Sequence, residues 1–291
     1  MSEPLPWTDE NRMLAERTRD DWDGAAQAWS HWEPHIAAFL WPVTQRLLEA
    51  AEIQPGQYVL DAGCGMGDPA LAVAMRVGPG GRVLAIDPAQ RMIDTARRRA
   101  GAMDLDNVEF RAAWVDDLPP PAKPFDAVVG RFSFIFCPDV RAALRRVRGM
   151  MRPGARLAMS AWTPMENSPG FLVINEMLRK HVVMPAVDAT QPGMHHLSGP
   201  GMLSAALSEA GFRDVRTSPV RIYQFARNGA EFWRMSFEMS ASLKKVLLRL
   251  PEAARTAIGE EIARRVDGDE RFHQDGVLRI PVLAQVGSGC A

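Results

Sequence analysis

Tyr58-Val59-Leu60-Asp61-Ala62-Gly63-Cys64-Gly65-Met66-Gly67 decides the fold, because a short apolar strand here runs straight into three glycines at alternate positions. Glycines at that spacing let the backbone turn tightly and approach a ligand with no β-carbon in the way. Asp68-Pro69 follows, and proline suits the first turn of a helix. Strand, glycine turn and helix together read as a cofactor-binding turn. The dinucleotide fingerprint Gly-x-Gly-x-x-Gly needs its third glycine one residue later than Gly67, and Asp61 stands just ahead of the loop. That carboxylate serves a pyrophosphate badly. It suits a cationic ligand carrying an amino acid group, whose ammonium Asp61 can face while the glycine backbone offers carbonyl and N–H partners.

Val83-Leu84-Ala85-Ile86-Asp87 is a second short apolar strand, and Asp87 ends it about twenty residues past the loop, the spacing of a ribose-binding acid. One carboxylate can accept both vicinal hydroxyls of a ribose. Asp87-Pro88 also suits a helix N-terminus, so capping and ribose binding can coexist at this residue. Met92, one turn into the next helix, is placed to lie against an adenine.

These residues resemble the class I S-adenosylmethionine-dependent methyltransferases, in the type 11 small-molecule branch similar to quinone-biosynthesis C-methyltransferases. The resemblance is strong over residues 25–160. It rests on Val59 to Gly67, Val83 to Asp87, Phe125-Asp126-Ala127-Val128-Val129, and Leu144 to Gly154 with Met151-Arg152-Pro153-Gly154 before a strand. It implies an α/β, Rossmann-like, doubly wound, seven-stranded, mostly parallel sheet with a helical cap, and S-adenosylmethionine as cofactor. It further implies that the loop with Asp61, Gly63 and Gly65 holds the methionine part, that Asp87 holds the ribose, and that a residue after the third strand meets the adenine. In Phe110-Arg111-Ala112-Ala113-Trp114-Val115-Asp116-Asp117-Leu118-Pro119 the family's adenine-binding acid falls on Trp114. Either the indole stacks on the ring, with the Val115 N–H reaching a ring nitrogen, or Asp116 takes over. Arg131, closing the fourth strand, either approaches the methionine carboxylate or pairs with an acid.

Balanced charge, net −1 over 291 residues, argues against a nucleic-acid surface, and the apolar fraction of 47% supports a sizeable core. Arg97-Arg98-Arg99, Arg145-Arg146 and Arg148 read as solvated helix faces. Cys64, Cys137 and Cys290 lack metal spacing and an even count, which speaks against zinc and disulfides and for the cytoplasm. No apolar leader or run of eighteen apolar residues points to export or a membrane span.

The chain divides into an N-terminal helical lid (1–50), a cofactor-binding core (51–162), a substrate cap insertion (163–199) and a C-terminal part of the sheet (200–291) with a helical insertion at 228–270. Residues 1–20 read as a loose arm or short helix, and Pro42 divides the aromatic segment that follows. Strands are predicted at 57–61, 82–86, 107–111, 125–130 and 155–161, later ones at 214–225 and 277–286, and two helices over 229–266. Residues 163–199 read as a long segment of weak periodicity, and such segments are usually functional. Pro281 predicts that pairing of the last strand starts after it, or that a bulge absorbs it.

Ligands in doubly wound sheets bind outside the carboxyl ends of the strands. Segments 20–45, 163–199 and 228–250 could cover that edge with Trp22, Trp29, Trp32, Trp41, Trp162 and Trp233 and with Met165, Met177, Met184, Met194, Met235 and Met239. Plain cap packing accounts for any one of them; their concentration suits a flat or lipophilic acceptor. Methyl transfer needs placement and exclusion of water, with a base optional. The base candidates are His31, His35, His195 and His196, and a metal on the last two is disfavoured by their adjacency and the lack of an acid cluster. The reading is methyl transfer to carbon or oxygen of a small, largely apolar or aromatic acceptor, with a homodimer through the cap aromatics as a further expectation. The rivals are a cyclase-like enzyme that binds the same cofactor, a nicotinamide-dependent oxidoreductase and a non-catalytic scaffold.

Overall fold

The computed structural model describes residues 7–184, 186–274 and 276–291. In chain order it contains α1 (Asp9–His31), α2 (Glu33–Ala50), β1 (Tyr58–Ala62), α3 (Asp68–Val77), β2 (Arg82–Asp87), α4 (Gln90–Ala102), β3 (Val108–Ala112) and β4 (Phe125–Gly130). There follow α5 (Val140–Gly149), β5 (Met151–Trp162), α6 (Pro169–His181), α7 (Met202–Glu209), β6 (Arg213–Ala226), α8 (Gly229–Met239), α9 (Ala241–Leu247), α10 (Glu252–Asp267), β7 (His273–Gln274) and β8 (Val277–Cys290).

One sheet runs β3-β2-β1-β4-β5-β8-β6, the expected seven strands, with the two-residue β7 paired to β8 off that path. The first five strands are parallel and β8 is antiparallel to both neighbours. Strand order reverses between β1 and β4, so their carboxyl ends open the crevice where ligands of such sheets bind. Every residue of β1 after Tyr58 is buried, as an apolar run in the middle of a parallel sheet must be.

Several sequence expectations change. Of the loose arm or short helix expected over 1–20, the helix forms from Asp9 and is longer, running to His31: Thr8 accepts the Asn11 N–H as its cap, and Ala15, Ala25 and Ala26 are its buried face. Residues 1–6 of the expected arm lie outside the described residues. Pro42 sits inside α2 and does not divide the segment; the break falls at Trp32, ahead of Pro34 in the first turn of α2. Buried Ile36, Leu40, Val43 and Leu47 hold the helix together across the missing hydrogen bond. The weakly periodic 163–199 contains α6, and 229–266 contains three helices instead of two.

Pro281 lies within the ladder, opposite Tyr223. The neighbour β5 ends at Trp162, opposite Ala284, and the Leu283 carbonyl accepts Thr163 N–H on that side. Two residues along, the nitrogen of Pro281 therefore points to the side that no strand occupies, and no ladder bond is lost. Beyond β5 the long β6 and β8 run on together and carry a second core: Val173, Ile174 and Leu178 of α6 pack with Phe232 of α8, Ile258 and Ile262 of α10, and Ile280 of β8. Helices α6, α8 and α10 thus share one apolar core. Among the described residues no helix is long and apolar enough to cross a membrane.

Candidate active site

Asp61, next to last in β1, is fully buried, and neither carboxylate oxygen has a hydrogen-bond partner among the described residues. Burial drives its pKa from 3.8 up to about 8; the Arg131 guanidinium opposes this, Asp87 adds to it, and the Ala70 N–H lowers it without completing a bond. A buried carboxylate left unsatisfied is costly and calls for an explanation. An ammonium ligand supplies one.

The loop after Asp61 shows why. Gly63 and Cys64 both donate to the Ile86 carbonyl, Gly65 donates to Asp87 Oδ2 at 2.9 Å, and Gly67 donates to the Cys64 carbonyl. With these N–H groups engaged, the loop keeps carbonyls and a carboxylate for its ligand, the reverse of a phosphate cradle. Gly63 takes φ +77°, and a β-carbon there would sit 2.2 Å from the Ser133 Cβ; Gly65 takes φ +53° with open space where a β-carbon would point. Ser133 Oγ donates to the Ala62 carbonyl and closes the floor of the crevice.

Asp87 ends β2 and accepts Gly65 N–H on Oδ2 and Ala89 N–H on Oδ1, each at 2.9 Å. Two of about four lone-pair sites remain for a vicinal diol, so capping and ribose binding do coexist geometrically. Burial raises its pKa to about 6 against these two N–H bonds, with Asp23 adding to the rise. Met92 is enclosed on the inner face of α4. The Trp114 ring lies edge-on to Trp7 at 5.9 Å, and Val115 is buried in the short turn Val115–Asp117. Asp116 in that turn is pushed up to about 6, by burial first and against the pull of Arg146.

Arg131 takes the second of its two readings. Its buried guanidinium donates to Thr44 Oγ1 at 2.9 Å and to Asp68 Oδ2 at 3.4 Å. Asp68 also accepts from Arg99 at 2.8 Å, and Arg99 reaches the Met66 carbonyl and Glu33. Arg99 is therefore no solvated arginine: it ties α4, the glycine loop and α2 together. Its signal was present, since it stands seven residues after the inward Met92. Arg146 likewise turns inward, donating to the carbonyls of Val115 and Leu118. Arg148 holds a buried Nε without a partner among the described residues.

At the carboxyl ends of β4 and β5 the aromatic rings collect. Phe132 stacks on Trp162 at 4.0 Å and 11°, Phe39 lies near-parallel to Trp162 at 6.2 Å, and Phe171 meets it edge-on at 5.3 Å. Phe132 holds φ +53°, a strained value for an aromatic residue, with its N–H on Ser160 Oγ. Phe132 and Phe171 were missed by a sequence reading that tracked tryptophan and methionine. Trp22 belongs near this edge, against Phe136 and Trp29. Trp233 packs within the cap, and exposed Trp41 faces a separate cleft of about 180 Å³ between α2, α3 and α4.

The four histidines separate. His31 and His35 flank Trp32 edge-on at 5.0 and 5.1 Å, where α1 meets α2. His196 is buried and donates from Nδ1 to the Ile135 carbonyl at 3.0 Å. His195 keeps a buried Nδ1 with no partner among the described residues.

Fold and site define a Rossmann-like protein whose crevice is built for a cationic nucleoside cofactor. Residues 59–154 match the family model described as a methyltransferase domain. The chain is 34% identical over 188 residues to nocamycin O-methyltransferase of Saccharothrix syringae, covering 61% of this chain and 67% of that one. It is 30% identical over 181 residues to demethylmenaquinone methyltransferase of Listeria monocytogenes, covering 58% of this chain and 75% of that one. A SAM dependent methyltransferase structure from Aquifex aeolicus matches with TM-score 0.50 at 21% identity over 68% of this chain and 92% of that chain, which bears on the fold alone. The chain belongs to the class I S-adenosylmethionine-dependent methyltransferases of the type 11 branch. Its cofactor is S-adenosylmethionine, and the orphaned Asp61, the spare lone pairs of Asp87 and the open space over Gly65 fit that molecule.

Proposed function

We propose that the enzyme methylates carbon or oxygen of a small, flat, largely apolar acceptor held beside Phe132 and Trp162. The observation that carries this is the stack at the carboxyl ends of β4 and β5, where Phe132 is held at φ +53° with its ring against Trp162. Bound S-adenosylmethionine supplies an electrophilic methyl group on a sulfonium. Asp61 takes its ammonium, Asp87 its ribose, and Trp114 with the Val115 N–H its adenine, while Arg131 fixes Asp68 and biases Asp61 toward its charged form. Residues 1–50 act as a lid. Its α1 is tied to the cofactor half by the Arg91 N–H on Asp23 at 2.8 Å, and to the cap by Lys245 on Asp21 at 2.6 Å and Trp29 on the Met239 carbonyl. Closure of such a lid excludes water from the transfer.

Relatives named for nocamycin and for demethylmenaquinone support an acceptor of natural-product or quinone type. The test is a mass-spectrometric screen of planar phenols, quinols and enolisable carbonyl compounds for a gain of one methyl group. Parallel quenching of tryptophan emission reports binding. Activity confined to charged, non-planar acceptors contradicts the proposal.

A further inference from the structure

We propose that Glu238 is a positioning residue: by gripping Trp32 it holds α1 shut over the cofactor, so that the corner between α8 and α9 gates cofactor entry and release. This rests on the lid proposed above for residues 1–50 and names what fastens it.

The contacts of α1 run along the cofactor half of the molecule. Asp23 Oδ1 accepts the Arg91 N–H at 2.8 Å at the start of α4, and Asp23 is close enough to Asp87 to add to the burial that raises that acid's pKa. About two turns on, Ser30 Oγ donates to Met66 Sδ of the glycine loop at 3.7 Å. Glu33, the first residue of α2, accepts from Arg99, which also donates to the Met66 carbonyl. A cofactor spanning the glycine loop and Asp87 is therefore covered by α1, which must swing aside for it to pass.

Trp32 is the joint, ending α1 and preceding α2 at φ −93° and ψ 11°, and it is only 3% exposed. Its Nε1–H donates to Glu238 Oε2 of α8 at 2.7 Å, a short bond to a charged acceptor. The Arg234 guanidinium, one turn earlier on α8, stands 5.0 Å from the ring centroid, and His31 and His35 meet the ring edge-on. The other two hydrogen bonds from α1 to this corner are Trp29 Nε1–H on the Met239 carbonyl at 3.1 Å and Lys245 on Asp21 at 2.6 Å. All three end within residues 238–245, so one short stretch restrains the length of α1. The Lys245–Asp21 pair is half-exposed and weak. The indole of Trp32 is buried and has no water to turn to when its acceptor is lost, so Glu238 carries the larger share. The restraint also continues toward the acceptor side: Phe232 of α8 packs in the core of α6, which carries Phe171 against Trp162.

The experiment follows association and dissociation of S-adenosylhomocysteine by stopped-flow tryptophan emission, with the full chain and Glu238→Ala. A gate that must open for passage in either direction has a kinetic signature. Both rate constants are expected to rise about tenfold, the value of one hydrogen bond to a charged group, while Kd changes by less than about threefold. Damage to the binding site raises Kd instead. Glu238→Gln keeps an oxygen for the indole and should recover most of the wild-type rates. Trp32→Phe should match Glu238→Ala, and combining the two should add nothing. Unchanged rates in Glu238→Ala, or a raised Kd with unchanged association, overturns the proposal. Lys245→Ala separates it from the lid reading: acceleration there without acceleration in Glu238→Ala removes Glu238 alone, and none in either contradicts the lid as well. Should Glu238→Ala not fold, amide hydrogen exchange of the unmutated chain decides, since α1 and residues 238–245 must open together and be slowed together by S-adenosylhomocysteine; independent opening overturns the proposal. No binding of S-adenosylhomocysteine by the intact chain overturns the cofactor reading and this proposal with it.

Discussion

Asp61→Asn is the perturbation most informative about the buried carboxylate. Asp61 has a folded pKa of about 8 against an ordinary 3.8, so the folded state binds its proton more tightly than the unfolded state. Its contribution to stability is complete below pH 3.8 and is lost as pH rises through about 8. Between pH 5 and pH 8 the linkage relation gives a loss of about 3–4 kcal/mol. Asparagine copies the neutral acid and does not titrate. Without cofactor the variant should therefore gain on the wild type by about 3–4 kcal/mol over that interval, a Tm difference growing by about 5–10 °C. Asp87 titrates in both proteins and drops out of the comparison. The second arm is binding: the variant should bind S-adenosylhomocysteine about 10–100-fold more weakly, the value of one hydrogen bond to a charged group. Wild-type affinity should climb toward pH 8 as the proton that binding displaces becomes easier to lose. Scanning fluorimetry at pH 5 and pH 8 with calorimetric titration supplies both arms. Parallel loss of stability in the two proteins, with equal affinities, refutes a raised pKa at Asp61 and its role toward the ammonium.

Two further outcomes are expected. Phe132→Gly relieves the φ +53° backbone and removes the ring from Trp162; acceptor KM should rise about tenfold or more with S-adenosylhomocysteine affinity unchanged, by steady-state kinetics and calorimetry. Gly63→Ala places a β-carbon 2.2 Å from that of Ser133 at φ +77°; a loss of about 2 kcal/mol or more in denaturant titration, together with cofactor binding, should follow.

The half of the molecule that holds the cofactor was legible because its signals are local. Strands β1, β2 and β4 are apolar runs closed by glycine or aspartate, and Asp61, Gly63, Gly65 and Asp87 lie on or just after strand ends, where backbone geometry selects the residue type. The parts that were not legible depend on contacts distant in sequence. Polar α1 is helical because Thr8 caps it and the helix packs against α4, α8 and α9. Pro42 is tolerated in α2 because tertiary burial outweighs one missing bond. Pro281 fits β8 only because β5 stops three residues short of it in register. Arg99 resembles its neighbours Arg97 and Arg98 until Glu33 and Asp68, from two other helices, meet it. Phe39, Phe132 and Phe171 come together around Trp162 from three separate stretches of chain, and no one-dimensional pattern links them.

The most direct test of the central claim is calorimetric titration of the purified chain with S-adenosylmethionine and S-adenosylhomocysteine, alongside Asp87→Ala checked by its melting curve. The account predicts saturable one-to-one binding by the intact chain and about 100-fold weaker binding by the folded variant, the loss of a carboxylate from two ribose hydroxyls. Equal binding by both proteins, or none by the intact folded chain, contradicts it.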